Sequence, residues 1–316
     1  MLATRSLLHR YKFSGSNFAR MGNRILHFIV YSNLFIAACA FALTWETFVL
    51  LGLPSSLNWY LLLIFFSTVF VYSLHYFVKS KTEKTDSRLE WCRRNKKLLP
   101  AIIVLSFIFI AGAVAWQYKM IFIKNGHFNY SNLAWFIVIP LLALAYSYPL
   151  TPWNKKSLRQ IGWLKMASLS FIWSFTTVVL PLLMLPDSSY AKMNNSSLFI
   201  LFLHRFIFIA SLGFLFNIND YEEDKKDGIK TIAVLLGPEK SLQKGKWIVL
   251  LLNAVMSLLL WYYFDLRSFA FISAMLIPVL FLFVVYKTFS FRKDEASFVI
   301  RHYGLMILKD LLLILA

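Results

Sequence analysis

The stretch 216–241, FNINDYEEDKKDGIKTIAVLLGPEKS, gathers most of the chain's ionisable chemistry in one place: five of the fifteen acidic residues fall between Asp220 and Asp227. If the apolar run before it continues as a helix, Asn217, Asp220, Tyr221 and Asp224 recur at i, i+3, i+4 and i+7. That spacing puts two carboxylates and one amide on a single helical face. Like charges one turn apart repel, so a cation is required to offset them. Hard oxygen donors suit Mg²⁺, an ion that commonly bridges carboxylates and substrate phosphates. The plainer reading is a solvated acidic loop paired with Lys225 and Lys226.

A second face lies at the end of an earlier apolar run. Tyr72, His75, Tyr76 and Lys79 also recur at i, i+3, i+4 and i+7. A polar, aromatic face is costly toward lipid and belongs in a bundle interior or at the membrane interface. Lys79 and a protonatable His75 could meet an anionic oxygen cluster directly. An interfacial belt of Tyr and Lys would read the same way. The loop 79–97 carries eight basic residues. Arg88, Arg93 and Arg94 could clamp an anionic group, or the loop could simply supply topological charge. Arg205, beside His204, lies fifteen residues before Asp220, or about 22 Å along a helix. It cannot reach the acidic face; snorkelling to the outer interface and pairing within the bundle are both open to it, and a structural role is expected.

The elements that must position these groups are membrane helices. The 316-residue chain is 59% hydrophobic and only 15% charged, against about 25% charged in a soluble domain. The apolar runs are continuous and about twenty residues long, the length of a spanning helix and not of a barrel strand. The expected fold is an all-α polytopic bundle of about nine helices. Its segments fall near 25–49, 57–78, 98–118, 132–148, 163–184, 197–218, 247–264, 268–286 and 298–316. Residues 23–316 form one transmembrane domain behind a basic tail, 1–22. That tail has no acidic residue and resembles either a cytoplasmic tail on anionic lipid or a transit peptide. With the N-terminus inside, 27 of the 33 Lys and Arg residues fall on the cytoplasmic side and four outside. The net charge of +18 is thus explained by short basic loops, and nucleic acid is not an expected partner. Cys39 and Cys92 lie at different depths, which argues against a disulfide.

The tight motif carries a resemblance. Asn217-x-x-Asp220-x-x-x-Asp224, then Gly228-Ile229-Lys230-Thr231 and Leu236-Gly237, is similar to the second aspartate-rich motif of the UbiA superfamily of intramembrane prenyltransferases. The pattern Phe171-Ile172-Trp173-Ser174 to Pro181 resembles a divergent branch of that family from Bacteroidetes-type bacteria. The family's first motif, N-D-x-x-D-x-x-x-D, would fall on Ser73–Lys81, which holds no carboxylate. Tyr146-Ser147-Tyr148-Pro149 followed by Lys155 and Lys156 resembles the family's Tyr and Lys segment between helices four and five.

The resemblance implies a helical bundle around a central cavity and an Mg²⁺-dependent transfer of an isoprenyl group from its diphosphate to a hydrophobic acceptor, often an aromatic ring. Asp220 and Asp224, with Asn217 in place of a first aspartate, would ligate Mg²⁺. His75 and Tyr76 would join Asp220 and Asp224 at the reacting centre, and Lys79, Arg88, Tyr148, Lys155 and Lys230 would bind the substrate. A bacterial plasma membrane with a cytoplasmic active site is the implied setting, with membrane lipid as surroundings and no obligate protein partner evident. The alternative is a degenerate relative that binds or carries an isoprenoid or lipid without turning it over. An unrelated transporter is disfavoured by the few mid-bilayer charges.

Overall fold

The computed structural model describes residues 25–54, 56, 58–81, 87–119, 130–149, 156–184, 194–264, 279, 286 and 295–315. The tail 1–22 and Lys155 lie outside them, as does the expected segment 268–286 apart from two helical positions. The other eight expected segments meet helices, and among the described residues there is no strand.

Residues 25–31 are helical and turn at Asn33 into α1 (Leu34–Leu51), which stops at Gly52. Next come α2 (Asn58–Lys79), the short α3 (Ser87–Arg94), α4 (Leu98–Lys119) and α5 (Tyr130–Ser147). A 3-10 turn, Leu158–Gln160, leads into α6 (Gly162–Ser174), which continues through a π turn, Phe175–Val179, to Leu182. Then follow α7 (Asn195–Asn219), α8 (Tyr221–Lys226), α9 (Ile232–Leu236), α10 (Pro238–Tyr263) and α11 (Glu295–Leu315). Six of these are long and apolar enough to cross a membrane: α1, α2, α4, α6 with its continuation, α7 and α10.

The packing is that of a membrane bundle. Leu105 and Ile108 on α4 and Leu251 and Leu258 on α10 are exposed, while Arg205, Glu46 and Lys309 are buried. Apolar side chains outward and charged ones inward is stable only where the surroundings are hydrocarbon. α7 lies between α6 and α10, α1 packs on α2 and α11, and α2 runs along α4. Gly245 of α10 lets the Phe214 ring of α7 approach to where a Cβ would stand, 2.2 Å from Cε1. Small residues at such crossings bring backbones together.

One buried ionic cluster ties the helices. Arg205 Nη2 on α7 donates to Glu46 Oε2 on α1 at 2.7 Å, and its Nη1 donates to Leu43 O and to Thr177 Oγ1 in the π turn. Lys309 of α11 donates to both oxygens of Glu46. Of the two arrangements open to Arg205, the structure has the pairing inside the bundle. The π turn is held from outside as well, since Tyr60 on α2 donates its hydroxyl to Thr176 O at 2.7 Å. A π turn disturbs the regular helical ladder and is common where a helix carries a special role.

Candidate functional site

The acidic motif sits where α7 ends, but not on one unbroken helix. α7 stops at Asn219, Asp220 adopts φ −81° and ψ 6°, and α8 begins at Tyr221. The i→i−4 bonding nevertheless survives the junction: Asp220 N–H reaches Phe216 O and Asp224 N–H reaches Asp220 O, both at 2.8 Å. The expected common face of Asp220 and Asp224 is therefore kept. Gly228, at φ +69°, then reverses the chain, a conformation open to glycine at little cost. Thr231 caps α9 by accepting from Val234 N–H.

This reversal fixes the neighbouring helix. A Cβ on Gly162 would stand 1.9 Å from Lys230 O, so the first residue of α6 rests directly on the backbone of the Gly228–Thr231 segment. One turn on, Lys165 points at the motif. Its Nζ donates to Asp220 Oδ2 at 3.0 Å and to both oxygens of Asp224 at 2.9 Å. Lys165 and Asp224 are almost fully buried, and Asp220 is a quarter exposed. Burial holds the Asp224 carboxyl above its ordinary value, and the adjacent ammonium offsets only part of that.

The opposite wall comes from the end of α2. His75, Tyr76 and Lys79 all line the same cavity as Asn217, Asp220 and Lys165. Arg159, in the 3-10 turn, donates from Nη1 to His75 Nε2 at 3.3 Å, which leaves the imidazole proton on Nδ1. That Nδ1 is buried and has no hydrogen-bond partner among the described residues. Burial opposes the Arg159 charge, but Tyr146, Asp220, Tyr76 and Glu223 outweigh it and hold the pKa above the ordinary guanidinium value. Lys79 Nζ lies 3.8 Å from Glu223. Arg88 stacks over the Tyr76 ring, 3.7 Å from its centroid, and donates to Val30 O and Asn33 Oδ1. Asn33 can hold it because its backbone is left-handed, at φ 68°, a conformation Asn tolerates, while its amide donates to Ser73 at 3.0 Å.

Above this charged floor the cavity is apolar. Its volume is about 910 Å³, and Phe70, Tyr72, Phe107, Phe136 and Trp173 are among its walls. Of the residues singled out from the sequence, Asn217, Asp220, His75, Tyr76, Lys79 and Arg88 line it, and Asp224 adjoins it through Lys165. Tyr148 is not in the wall. It bonds Leu74 O from behind, with its ring 6.4 Å from His75. Lys230 points its side chain into solvent and contributes its backbone to the Gly162 contact.

Lys165 and Arg159 were not singled out by spacing. Both fall among the 27 basic residues on the expected cytoplasmic side, yet Lys165 lies inside the expected apolar segment 163–184, where a cation is costly and calls for a partner. Glu46, inside the first apolar run, carried the same signal.

The donor set can be tested against Mg²⁺. Among the described residues no three His, Cys, Asp or Glu side chains are placed to hold a metal ion. The space between the two carboxylates is already shared with an ammonium at 2.9–3.0 Å. A divalent ion about 4 Å from that ammonium would be repelled by about 8 kcal/mol at an effective dielectric constant of about 20. α2 offers no carboxylate for a second ion. The residues present therefore fit Mg²⁺ poorly.

Three comparisons place this arrangement among known proteins. Curated protein sequences give no match. Among solved structures, the apo structure of a UbiA homolog from Aeropyrum pernix K1 superposes with a TM-score of 0.57 at 12% identity, covering 89% of this chain and 96% of that one. A UbiA homolog from Archaeoglobus fulgidus bound to GPP and Mg²⁺ gives 0.55 at 14% identity over 90% and 96%. A UbiA homolog from Archaeoglobus fulgidus bound to DMAPP and Mg²⁺ gives 0.52 at 14% identity over 90% and 99%. The fold is thus shared while most side chains differ. A sequence model described as the UbiA prenyltransferase family matches residues 95–305, two thirds of the chain. On that match, over a helical membrane bundle of the same fold, the chain belongs to the UbiA prenyltransferase family.

Proposed function

We propose that this protein is an intramembrane prenyltransferase that takes an isoprenyl group from its diphosphate and delivers it to a hydrophobic acceptor. The observation that carries the reading is the polarity of the cavity: four cations, Lys79, Arg88, Arg159 and Lys165, line the same space as a wall of aromatic and aliphatic side chains. A diphosphate needs cationic donors, and an isoprenyl chain needs an apolar channel. The solved archaeal homolog bound to GPP or DMAPP supports the substrate class.

On this reading Lys79 and Arg159 hold the diphosphate oxygens, and His75 offers its buried Nδ1–H as a further donor. Arg88, braced by Asn33 and Tyr76, closes the cationic floor. The allylic C–O bond breaks with its electron pair leaving on the diphosphate, whose growing charge these donors stabilise. The carbocation sits among aromatic faces such as Tyr72 and Trp173, whose π electrons favour a cation. The acceptor supplies the electron pair of the new C–C or C–heteroatom bond. Its proton passes to the released diphosphate, the base nearest the reaction. In the archaeal relatives Mg²⁺ accompanies the donor. The poor fit of the residues here means that no step of this scheme runs through a metal. The basic loops favour a cytoplasmic site, and the resemblance of Phe171-Ile172-Trp173-Ser174 to the Bacteroidetes-type branch favours a bacterial plasma membrane.

The test is purified protein in detergent, given radiolabelled geranyl or farnesyl diphosphate with an apolar lipid extract as acceptor source. Transfer of label into the organic phase with equal release of diphosphate is expected. An Arg159→Ala/Lys79→Ala variant should lose at least about tenfold of it. Tight binding without diphosphate release would instead identify a carrier of isoprenoids. No binding of any prenyl diphosphate would end the proposal.

A further inference from the structure

We propose that Lys165 is the resident counter-ion of this site, standing where a divalent ion would otherwise bridge Asp220 and Asp224, and that the diphosphate is bound without a metal. The diphosphate half of this inference rests on the function proposed above; the Lys165 half does not.

Three observations converge. The ammonium reaches three carboxylate oxygens at 2.9–3.0 Å, so one monovalent cation saturates the inner face of both aspartates. Its position is built in, because α6 starts at a glycine pressed onto Lys230 O, and Lys165 follows one turn later. A burial this deep keeps a lysine only where partners are fixed. Finally, the facing helix end carries His75 and Lys79 where a second ion would need carboxylates, with Arg159 bonded to the same His75.

The charges around the cavity follow the same logic. Among the described residues around it, Asp220, Asp224, Glu222 and Glu223 carry four negative charges, and Lys79, Arg88, Arg159 and Lys165 carry four positive ones. Fixed cations thus already balance the carboxylates. An arriving diphosphate meets ammonium and guanidinium donors directly, and a released one leaves no ion behind. A site made only of carboxylates would repel a diphosphate until metal arrived.

The first measurement is a Mn²⁺ titration of the ligand-free protein followed by electron paramagnetic resonance, with Mn²⁺ as the probe ion. Wild type should show no site tighter than about 1 mM, whereas Lys165→Met, which keeps the stem packing, should gain one at least about tenfold tighter. That gained site should vanish in Lys165→Met/Asp220→Asn/Asp224→Asn. The second measurement is binding of labelled geranyl diphosphate in EDTA and in Mg²⁺. Wild-type affinity should agree between the two within about threefold, while Lys165→Met should lose at least about tenfold in EDTA and recover it in Mg²⁺. If the methionine variant fails to fold, Lys165→Gln, which removes the charge and keeps a hydrogen-bond donor for the aspartates, gives the same two readouts. Wild-type Mn²⁺ binding as tight as in Lys165→Met, or wild-type diphosphate binding that EDTA abolishes, would overturn the proposal. Absence of geranyl diphosphate binding in both buffers would overturn the diphosphate half together with the proposed function, and the Mn²⁺ titration would still decide the place of Lys165.

Discussion

Replacing Glu46 by Gln should unfold this protein more readily than almost any other single isosteric change. Glu46 and Arg205 are fully buried and Lys309 is nearly so, with one carboxylate set between two cations. Glu46→Gln keeps the volume and removes the charge. Arg205 retains Leu43 O, Thr177 Oγ1 and Thr47 Oγ1 as acceptors, so its share of the cost is modest. Lys309 loses two charged oxygens and faces a neutral amide. Removing one partner of a buried ion pair costs about 3–5 kcal/mol, so Glu46→Gln should fall within or above that range. The assay is reversible unfolding in mixed micelles, run as a double-mutant cycle with Lys309→Met. Removing the excess cation should recover about half of the loss, because apolar replacement of a buried charge is often nearly neutral. Arg205 lies about 22 Å along α7 from Asp220, so prenyl-diphosphate affinity of the folded fraction should not change. A Glu46→Gln variant within about 0.5 kcal/mol of wild type, or a double variant no better than the single, would refute the cluster's stabilising role.

Other perturbations probe the site itself. Arg159→Ala removes a charged donor bonded to His75 and should weaken geranyl diphosphate binding about 10- to 30-fold by equilibrium titration, whereas Tyr148→Phe, behind the wall, should leave it within about twofold. Gly162→Ala sets a methyl against Lys230 O and should cost about 1–3 kcal/mol in the same unfolding assay while displacing Lys165 from the aspartates. Asn33→Ala loses a side chain suited to the left-handed turn and takes one acceptor from Arg88, which keeps Val30 O and the Tyr76 ring. It should cost about 1–2 kcal/mol and lower diphosphate affinity, and an affinity unchanged from wild type would remove Arg88 from the binding floor.

The bundle was legible because lipid makes the code simple. A run of about twenty apolar residues has few options other than a helix, and helices appear wherever such a run meets a described part of the chain. The faces of Asp220 with Asp224 and of His75 with Lys79 were legible through helical periodicity. The break at Asp220 was not, since a single non-helical residue with its i→i−4 bonds intact leaves that periodicity unchanged. Lys165 and Arg159 escaped because topology and chemistry use the same residue type: a basic residue near a helix end counts first as an orientation signal. Lys165 is the third residue of the expected segment 163–184, near enough to its end to count as an orientation signal, and only its burial against the aspartates separates the two roles. The Tyr and Lys segment illustrates the reverse error. Tyr148 looked like a ligand by resemblance, but it lies one residue beyond the last helical turn and bonds a backbone carbonyl outside the cavity.

The π turn of α6 sets a condition on the length of that helix. Lys165 and Thr177 are twelve residues apart, which in a regular α-helix would leave them about 120° out of phase. Both nevertheless meet groups set by α7, Lys165 the Asp220 that caps its C-terminal end and Thr177 the Arg205 at depth, and the wide turn takes up part of the difference. The helix therefore works like a shaft keyed at two points. Deleting one residue between 175 and 179 would straighten it and set one key against the wrong neighbour. Segment 162–182 should thus tolerate substitutions far better than single-residue deletions, even where the deleted side chain touches nothing important.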